Sequence, residues 1–234
     1  MHRFPLVLPA LAALALALTT GQAMAQASQR NAWRACSGQT GTVVEERAAA
    51  CSWVIRIAGP NPQQIATAYE FRGMARRALG DRPGAMADYG KALGINPGSA
   101  SALNGRGVVR MELGLFALAL ADFEAALRVQ PDSPMPLANR GLVFQARGQL
   151  DRARADYDAA LARDPRHAWA LANRCALRAR QGEAKGVEDC AAAVEAAGAT
   201  NGWPFAARAG LRLLRDDREG AEADIAEALR RDRR

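Results

Sequence analysis

The sequence predicts an all-α protein assembled from repeated pairs of helices. An arginine followed by a small residue returns at a constant interval, and a proline, an alanine and an aromatic residue keep the same interval. These positions are Arg72-Gly73, Arg106-Gly107, Arg140-Gly141 and Arg174-Cys175; Pro97, Pro131 and Pro165; Ala85, Ala119 and Ala153; and Tyr89, Phe123 and Tyr157. Between them, apolar residues recur at the helical spacing i, i+3, i+4 and i+7. A constant period of about 34 residues indicates stacked repeats that bury their apolar faces against one another.

Two helices are predicted in each of the first three repeats, separated by glycine and proline. They cover residues 64–79, 83–95, 100–113, 116–129, 134–147 and 150–162. Pro83 suits a first helical turn, because the amide hydrogen that it lacks would have no partner there. Pro97 cannot continue a helix, and Ser99 can cap the next one. A fourth repeat begins at Ala168 and a fifth near Gly202, with one residue lost at the inner turn of the fourth.

The repeats resemble tetratricopeptide repeats. The resemblance rests on a large residue, a small residue, an alanine, an aromatic residue, an alanine and a proline at matching positions. They are Tyr69, Gly73, Ala85, Tyr89, Ala92 and Pro97; Leu103, Gly107, Ala119, Phe123, Ala126 and Pro131; and Leu137, Gly141, Ala153, Tyr157, Ala160 and Pro165. The resemblance implies a right-handed superhelix of antiparallel helix pairs. Its repeats would be 66–99, 100–133, 134–167, 168–201 and 202–234, within a domain of residues 63–234.

The first 25 residues are predicted to be a secretory signal peptide. A basic start is followed by an apolar run over residues 6–18 and by Ala23-Met24-Ala25, a small-residue cleavage signal before Gln26. The run is too short to span a bilayer. We therefore expect an exported protein, periplasmic or secreted, without stable membrane insertion after cleavage. A buried core helix is the alternative interpretation of this run.

Four cysteines form two pairs with identical spacing, which predicts the disulfides Cys36–Cys51 and Cys175–Cys190. Cys175 occupies the small position and Cys190 the aromatic position of the fourth repeat. A tight helix crossing there would bring their Cα atoms within disulfide reach. The matching spacing at the start predicts that residues 26–62 form a degenerate cap or half-repeat. Buried free thiols are the alternative for either pair.

An arginine before the small position and an aspartate before the aromatic position also recur together. The pairs are Arg72 and Asp88, Arg106 and Asp122, Arg140 and Asp156, and Arg174 and Asp189. We expect these residues to form ion pairs across the two helices, within a repeat or between neighbouring repeats. Charges that face outward from each helix are the alternative.

The sequence contains no recognisable catalytic or metal-binding motif. It lacks G-x-S-x-G, the phosphate-binding G-x-x-x-x-G-K, H-E-x-x-H and C-x-x-C. His167 would be the one histidine left after cleavage, and it lies in a turn between repeats. We therefore predict a protein that is not an enzyme, with no catalytic residue, metal site or cofactor.

The predicted function is protein–protein interaction. The family resemblance implies that the first helix of each repeat lines a concave groove for a protein or peptide segment, and this groove is unusually apolar here. The candidate binding residues are Met74, Arg77, Asn104, Val108, Met111, Met135, Leu142, Gln145, Trp169, Asn173 and Trp203. Trp169 and Trp203 are separated by one repeat length, so they should be neighbours, either exposed in the groove or packed as core.

The positive charge leaves a second function open. A net charge of +7 and a pI near 9.9 are consistent with a basic envelope-associated protein that binds an acidic polymer or a membrane surface. Arginines alternate with acidic residues, however, which favours charges spread over solvated helix faces. Predicted export argues against nucleic acid as a partner. A homo-oligomer formed through Ile225 and Leu229 is a further alternative.

Overall fold

In a computed structural model of the chain, every described element of regular structure is an α-helix. The structure describes residues 28–39, 41–57, 61–183, 185–197 and 202–232. Two compact units divide between Pro97 and Gly98. The predicted all-α class is confirmed for these residues, whereas the predicted signal peptide lies outside them.

The first compact unit contains four helices. They are α1 (residues 28–36), α2 (Val44–Ile57), α3 (Pro62–Ala78) and α4 (Arg82–Ile95). Helix α3 packs against both α2 and α4, and α3 with α4 forms the first repeat. The region predicted to be a cap therefore contains a helix pair of its own, α1 and α2.

The second compact unit contains four further repeats. Its helices are α5 (Ala100–Glu112), α6 (Phe116–Val129), α7 (Pro134–Ala146), α8 (Leu150–Arg163), α9 (Ala168–Arg180), α10 (Gly186–Ala196), α11 (Trp203–Leu214) and α12 (Arg218–Asp232). The two helices of each repeat pack together, and the first helix also contacts the first helix of the next repeat. The predicted helix ends of the first three repeats agree with these bounds to within two residues.

The turns inside the repeats explain the antiparallel arrangement. Gly114 and Gly148 adopt φ values of +73° and +71°, a left-handed conformation that most other residues avoid. A glycine in this conformation ends one helix and reverses the chain within three residues, so the next helix runs back along it.

An aromatic ring opposite a glycine fills the helix crossing of each of the first three repeats. Phe123 and Tyr157 are fully buried. A Cβ atom added at Gly107 would lie 2.6 Å from the Phe123 ring, and one at Gly141 would lie 2.7 Å from the Tyr157 ring. These two distances are too short for any side chain, so close packing requires glycine at Gly107 and Gly141.

Both predicted disulfides are present. Cys175 and Cys190 lie at the helix crossing of the fourth repeat with their Cα atoms 5.2 Å apart, and Cys36 and Cys51 join α1 to α2 at 4.7 Å. All four residues are buried. In the fourth repeat a covalent bond thus occupies the place of a packed ring.

The expected ion pairs are also present, and they lie within a repeat. The arginine on the first helix and the buried aspartate on the second are joined by two hydrogen bonds in every repeat. The pairs are Arg72–Asp88, Arg106–Asp122, Arg140–Asp156, Arg174–Asp189 and Arg208–Asp224. Hydrogen bonding to Asp156 raises the pKa of Arg140 despite the opposing effect of burial.

A second arginine, one helical turn after the first, reaches the same aspartate in four of the five repeats. It is Arg76, Arg110, Arg178 or Arg212, at 2.6–3.0 Å from the carboxylate. This arginine was not among the expected ion-pairing residues, although its positions follow the repeat. The third repeat has Phe144 at the equivalent position.

Candidate binding surface

Two tryptophan side chains lie side by side on the surface of the second compact unit. Trp169 is the second residue of α9, and Trp203 is the first residue of α11. Their ring centroids are 6.2 Å apart, and the ring planes differ by 17°. Trp169 is 51% exposed and Trp203 is 38% exposed. The expectation that they are neighbours is correct, and of the two alternatives the structure supports surface exposure over core packing.

The stacking follows from the repeat. Because the two tryptophans are separated by one repeat length, they occupy the same position in successive first helices, and α9 packs directly against α11. Aromatic pairs with ring centroids about 4.5–7 Å apart interact favourably. The two rings form a platform, here called the tryptophan platform, that projects from the first-helix face.

Asn173 is a buried polar group next to this platform. It follows Trp169 by one helical turn, so the two side chains lie on the same face of α9. Asn173 is 3% exposed. Burial therefore leaves little of this side chain open to a bound molecule.

The helix faces that carry the tryptophans continue with small, uncharged residues. These residues are Ala172 and Ala176 on α9, and Ala206 and Gly210 on α11. Ala172 is fully buried, whereas Ala206 and Gly210 are exposed. None of the four residues carries an ionised group.

Two other candidate residues, Asn104 and Met135, meet at the neighbouring first helices. Met135 on α7 is 56% exposed, and its sulfur lies 3.7 Å from the Asn104 side-chain nitrogen. Asn139 donates a hydrogen bond of 2.9 Å to the Asn104 side-chain oxygen. Asn139 was not among the candidates, although it precedes Asn173 by one repeat length, and this spacing identifies it.

The remaining candidates are placed less favourably for binding. Val108 and Met111 are partly buried against the apolar cluster of Phe123 and Val143. Leu142 is half-buried. Met74 and Arg77 are exposed on α3, in the first compact unit.

Gln145 has a structural role within the third repeat. Its side-chain oxygen accepts a hydrogen bond of 2.8 Å from the Tyr157 hydroxyl. Burial and the charge of Asp156 both raise the pKa of that hydroxyl, so it stays protonated and continues to donate. This bond occupies one of the two acceptor positions of the Gln145 oxygen.

His167 caps helix α9. Its Nδ1 atom accepts a hydrogen bond of 3.2 Å from the Ala170 amide, which requires a neutral imidazole. Burial lowers the pKa of His167, with partial opposition from Asp164, and so favours that neutral form. The imidazole thus satisfies a free amide at the start of the helix that carries Trp169.

In the described ranges, no group of three or more histidine, cysteine, aspartate or glutamate side chains is placed to hold a metal ion. None of the helices in those ranges is both long enough and apolar enough to cross a bilayer.

Comparison with known proteins identifies the fold. No protein-family model and no curated protein matches the chain. A tetratricopeptide-repeat protein from Parabacteroides merdae matches 83% of this chain and 75% of its own, with 20% identity and a TM-score of 0.67. A thermophilic tetratricopeptide-repeat protein from Thermus thermophilus matches 72% of this chain and 92% of its own, with 22% identity and a TM-score of 0.64. YrrB, a tetratricopeptide-repeat protein described as having an unusual peptide-binding site, matches 79% of this chain and 93% of its own, with 20% identity and a TM-score of 0.51. The chain therefore has the tetratricopeptide-repeat fold.

Proposed function

We propose that this protein is a non-enzymatic interaction protein that binds a segment of another protein on the first-helix face of its second compact unit. The tryptophan platform is the observation that carries this proposal. Two stacked, half-exposed indole rings are a costly feature on a solvated surface, and tryptophan is among the residues that contribute most to binding at interfaces. The peptide-binding site described for YrrB, which shares this fold, supports a protein or peptide ligand.

The platform and its polar neighbours have complementary roles in this proposal. Trp169 and Trp203 supply apolar contact area, which is the main source of affinity. Asn104, whose side-chain nitrogen lies 3.7 Å from the Met135 sulfur, offers a polar group on the neighbouring helices. Met135 extends the apolar surface toward α7 with an adaptable side chain.

The same proposal places the mature protein in the periplasm or outside the cell. The leader-like first 25 residues support export. The two disulfides support it independently, because disulfides persist in oxidising compartments and are rare in the cytosol.

Binding of an acidic polymer or membrane surface is the alternative, and the ion pairs argue against it. Nine arginines are committed to the five buried aspartates of the repeats. The net charge of +7 already counts both members of these pairs, but the paired guanidinium groups are held by the protein's own carboxylates and are less available to an acidic partner. The alternative predicts binding that salt abolishes.

The experiment is an affinity capture from envelope extract with the mature protein and two double variants. Trp169→Ala/Trp203→Ala removes the platform, whereas Leu115→Ala/Leu118→Ala removes two exposed apolar side chains elsewhere in the second compact unit. We expect the tryptophan variant to lose partners that the leucine variant keeps, at about 1 M salt, where the Debye length is about 3 Å. Retention of every partner by a folded tryptophan variant would disprove the proposal.

A further inference from the structure

We infer that the Cys175–Cys190 disulfide is a redox control of the tryptophan platform. The platform is assembled in protein whose disulfide has formed, and it is lost in protein whose two cysteines are reduced. Binding by the platform is therefore confined to oxidising compartments. This inference rests on the proposed function, because it states when the proposed binding surface is present.

The disulfide lies in the same buried cluster as the residues that join the two tryptophan-bearing helices. Cys175 and Leu171 belong to α9, Cys190 belongs to α10, and Ala207 and Leu211 belong to α11. Helix α11 contacts both α9 and α10. Because α9 and α10 together form the seat of α11, a shift of one against the other displaces α11 as well.

The helix crossing at the disulfide has little spare room. Cys175 and Cys190 are 0% and 1% exposed, and their Cα atoms are 5.2 Å apart. Gly186 on α10 stands where the first three repeats have alanine, and a Cβ atom there would lie 3.3 Å from the Ala179 backbone nitrogen. Helix α10 therefore runs close against α9 at this crossing.

Reduction of the bond would force α9 and α10 apart. Two free thiols need more room than one disulfide, because sulfur atoms that are not bonded to each other meet only at van der Waals distance. A fully buried crossing can supply that room only if helices or side chains move. The first three repeats are not sensitive in this way, since a ring against a glycine fills their crossings.

The pairing of Trp169 with Trp203 is sensitive to such a movement. Their ring centroids are 6.2 Å apart, and favourable aromatic pairs extend to about 7 Å. A displacement of about 1 Å between α9 and α11 is therefore enough to separate the rings. Trp169 and Cys175 lie on the same helix, so a shift of α9 at the cysteine also moves the indole.

The bond forms by thiol–disulfide exchange with a disulfide-containing oxidant. One cysteine thiolate attacks the disulfide of the oxidant, breaks it and gives a mixed disulfide. The other cysteine thiolate then attacks this intermediate, which closes the bond and releases the oxidant as a dithiol that takes up the electrons and protons. Because the reducing cytosol keeps thiols free, the platform is absent before export.

The test uses mature protein carrying Cys36→Ser/Cys51→Ser, in which Cys175 and Cys190 are the remaining cysteines. The protein is refolded either with oxidised glutathione or with dithiothreitol. Circular dichroism then measures the helix content and the exciton coupling between stacked indoles, and Trp169→Phe in the same background identifies the part of that coupling due to the platform. We expect reduction to abolish the platform signal and to leave most of the helix content.

The matched variant is Cys175→Ser/Cys190→Ser, which keeps the Cys36–Cys51 disulfide and cannot form the other. It should lack the platform signal under both refolding conditions. An unchanged platform signal in reduced, folded protein would overturn the inference. Unfolding of the whole chain on reduction would also overturn it, because the bond would then maintain the entire fold rather than the platform.

Capture from envelope extract separates this inference from the proposed function. Partners lost by Trp169→Ala/Trp203→Ala should also be lost by Cys175→Ser/Cys190→Ser and kept by Cys36→Ser/Cys51→Ser. If the folded cysteine variant keeps the partners that the alanine variant loses, only the redox inference fails. If the alanine variant keeps every partner, the proposed function fails, and the platform signal alone decides the redox control of the rings.

Discussion

Arg140 is the only described arginine within ion-pair distance of Asp156. Its guanidinium donates two hydrogen bonds, of 2.9 and 2.7 Å, to the two carboxylate oxygens. The position of the second arginine in the other repeats is occupied by Phe144, whose ring lies 4.0 Å from the Arg152 guanidinium. The third repeat therefore relies on one arginine where the others have two.

Replacement of Arg140 should destabilise the protein more than the same change in the second repeat. Arg140→Ala leaves the buried Asp156 without an ionic partner, which costs about 3 kcal/mol or more. Arg106→Ala leaves Asp122 in contact with Arg110 at 2.6 Å, so its cost should be clearly smaller. Thermal unfolding followed by circular dichroism measures both. A shift of less than about one degree for Arg140→Ala would show that the pair contributes no stability.

The glycine at the helix crossing should not tolerate even one methyl group. Gly107→Ala would place a Cβ atom 2.6 Å from the Phe123 ring, and we expect a loss of about 1–3 kcal/mol from overpacking. Gly90→Ala is the control, because Gly90 lies within helix α4 with no atom in the way. The control should gain about 0.5–1 kcal/mol from its higher helix propensity. Equal effects in chemical denaturation would contradict the packing argument.

A glycine and a tyrosine, as found at the helix crossing of the third repeat, should be able to replace the disulfide of the fourth repeat. Cys175→Gly removes the bond, and Cys190→Tyr alone sets a ring against the Cys175 side chain. Either single change should cost about 3 kcal/mol. The double variant Cys175→Gly/Cys190→Tyr re-forms the contact seen between Gly141 and Tyr157. It should therefore unfold at a higher temperature than either single variant. Additive losses would show that the two positions do not substitute as a pair.

Stability should fall in mildly acidic solution because of His167. Burial lowers its pKa in the folded protein, whereas the unfolded pKa is about 6.5. The unfolded chain then binds the proton more readily. The contribution of His167 to the free energy of unfolding is complete above about pH 6.5. It decreases as the pH falls toward the folded pKa, and it changes no further below that pKa. Protonation also removes the acceptor that caps α9.

The control for this pH dependence is His167→Ser. Ser99 occupies the equivalent position and caps its helix by accepting from the Ala102 amide at 3.1 Å, so serine should preserve the cap. The variant and the original protein are compared by urea denaturation at about pH 8 and about pH 5. The original should lose more stability than the variant over this interval. Parallel losses would exclude His167 as the cause.

Most of the fold could be predicted from the sequence because it depends on local rules that repeat. Glycine and proline mark the helix ends, and a constant period aligns successive helices. The disulfides and ion pairs were predictable for the same reason, since their spacing repeats. The second arginine row, at Arg76, Arg110 and their equivalents, was overlooked although the same period reveals it.

The candidate surface was predictable only in part, because exposure is a property of packing. Gln145 and Val108 lie at suitable helical positions, but the structure ties Gln145 to Tyr157 and packs Val108 against the Phe123 cluster. Conversely, Asn139 was not among the predicted binding residues, and the structure shows that it donates a hydrogen bond to Asn104.

The sequence alone determined that this chain forms helix pairs, where they begin and end, and which cysteines and charges face each other, because each depends on residues at a short, constant separation. Only the tertiary structure decided that Trp169 and Trp203 are stacked and open to solvent while Asn173 is buried beside them. That outcome depends on how closely α9 approaches α11, and the distance between two helices is set by all the side chains between them.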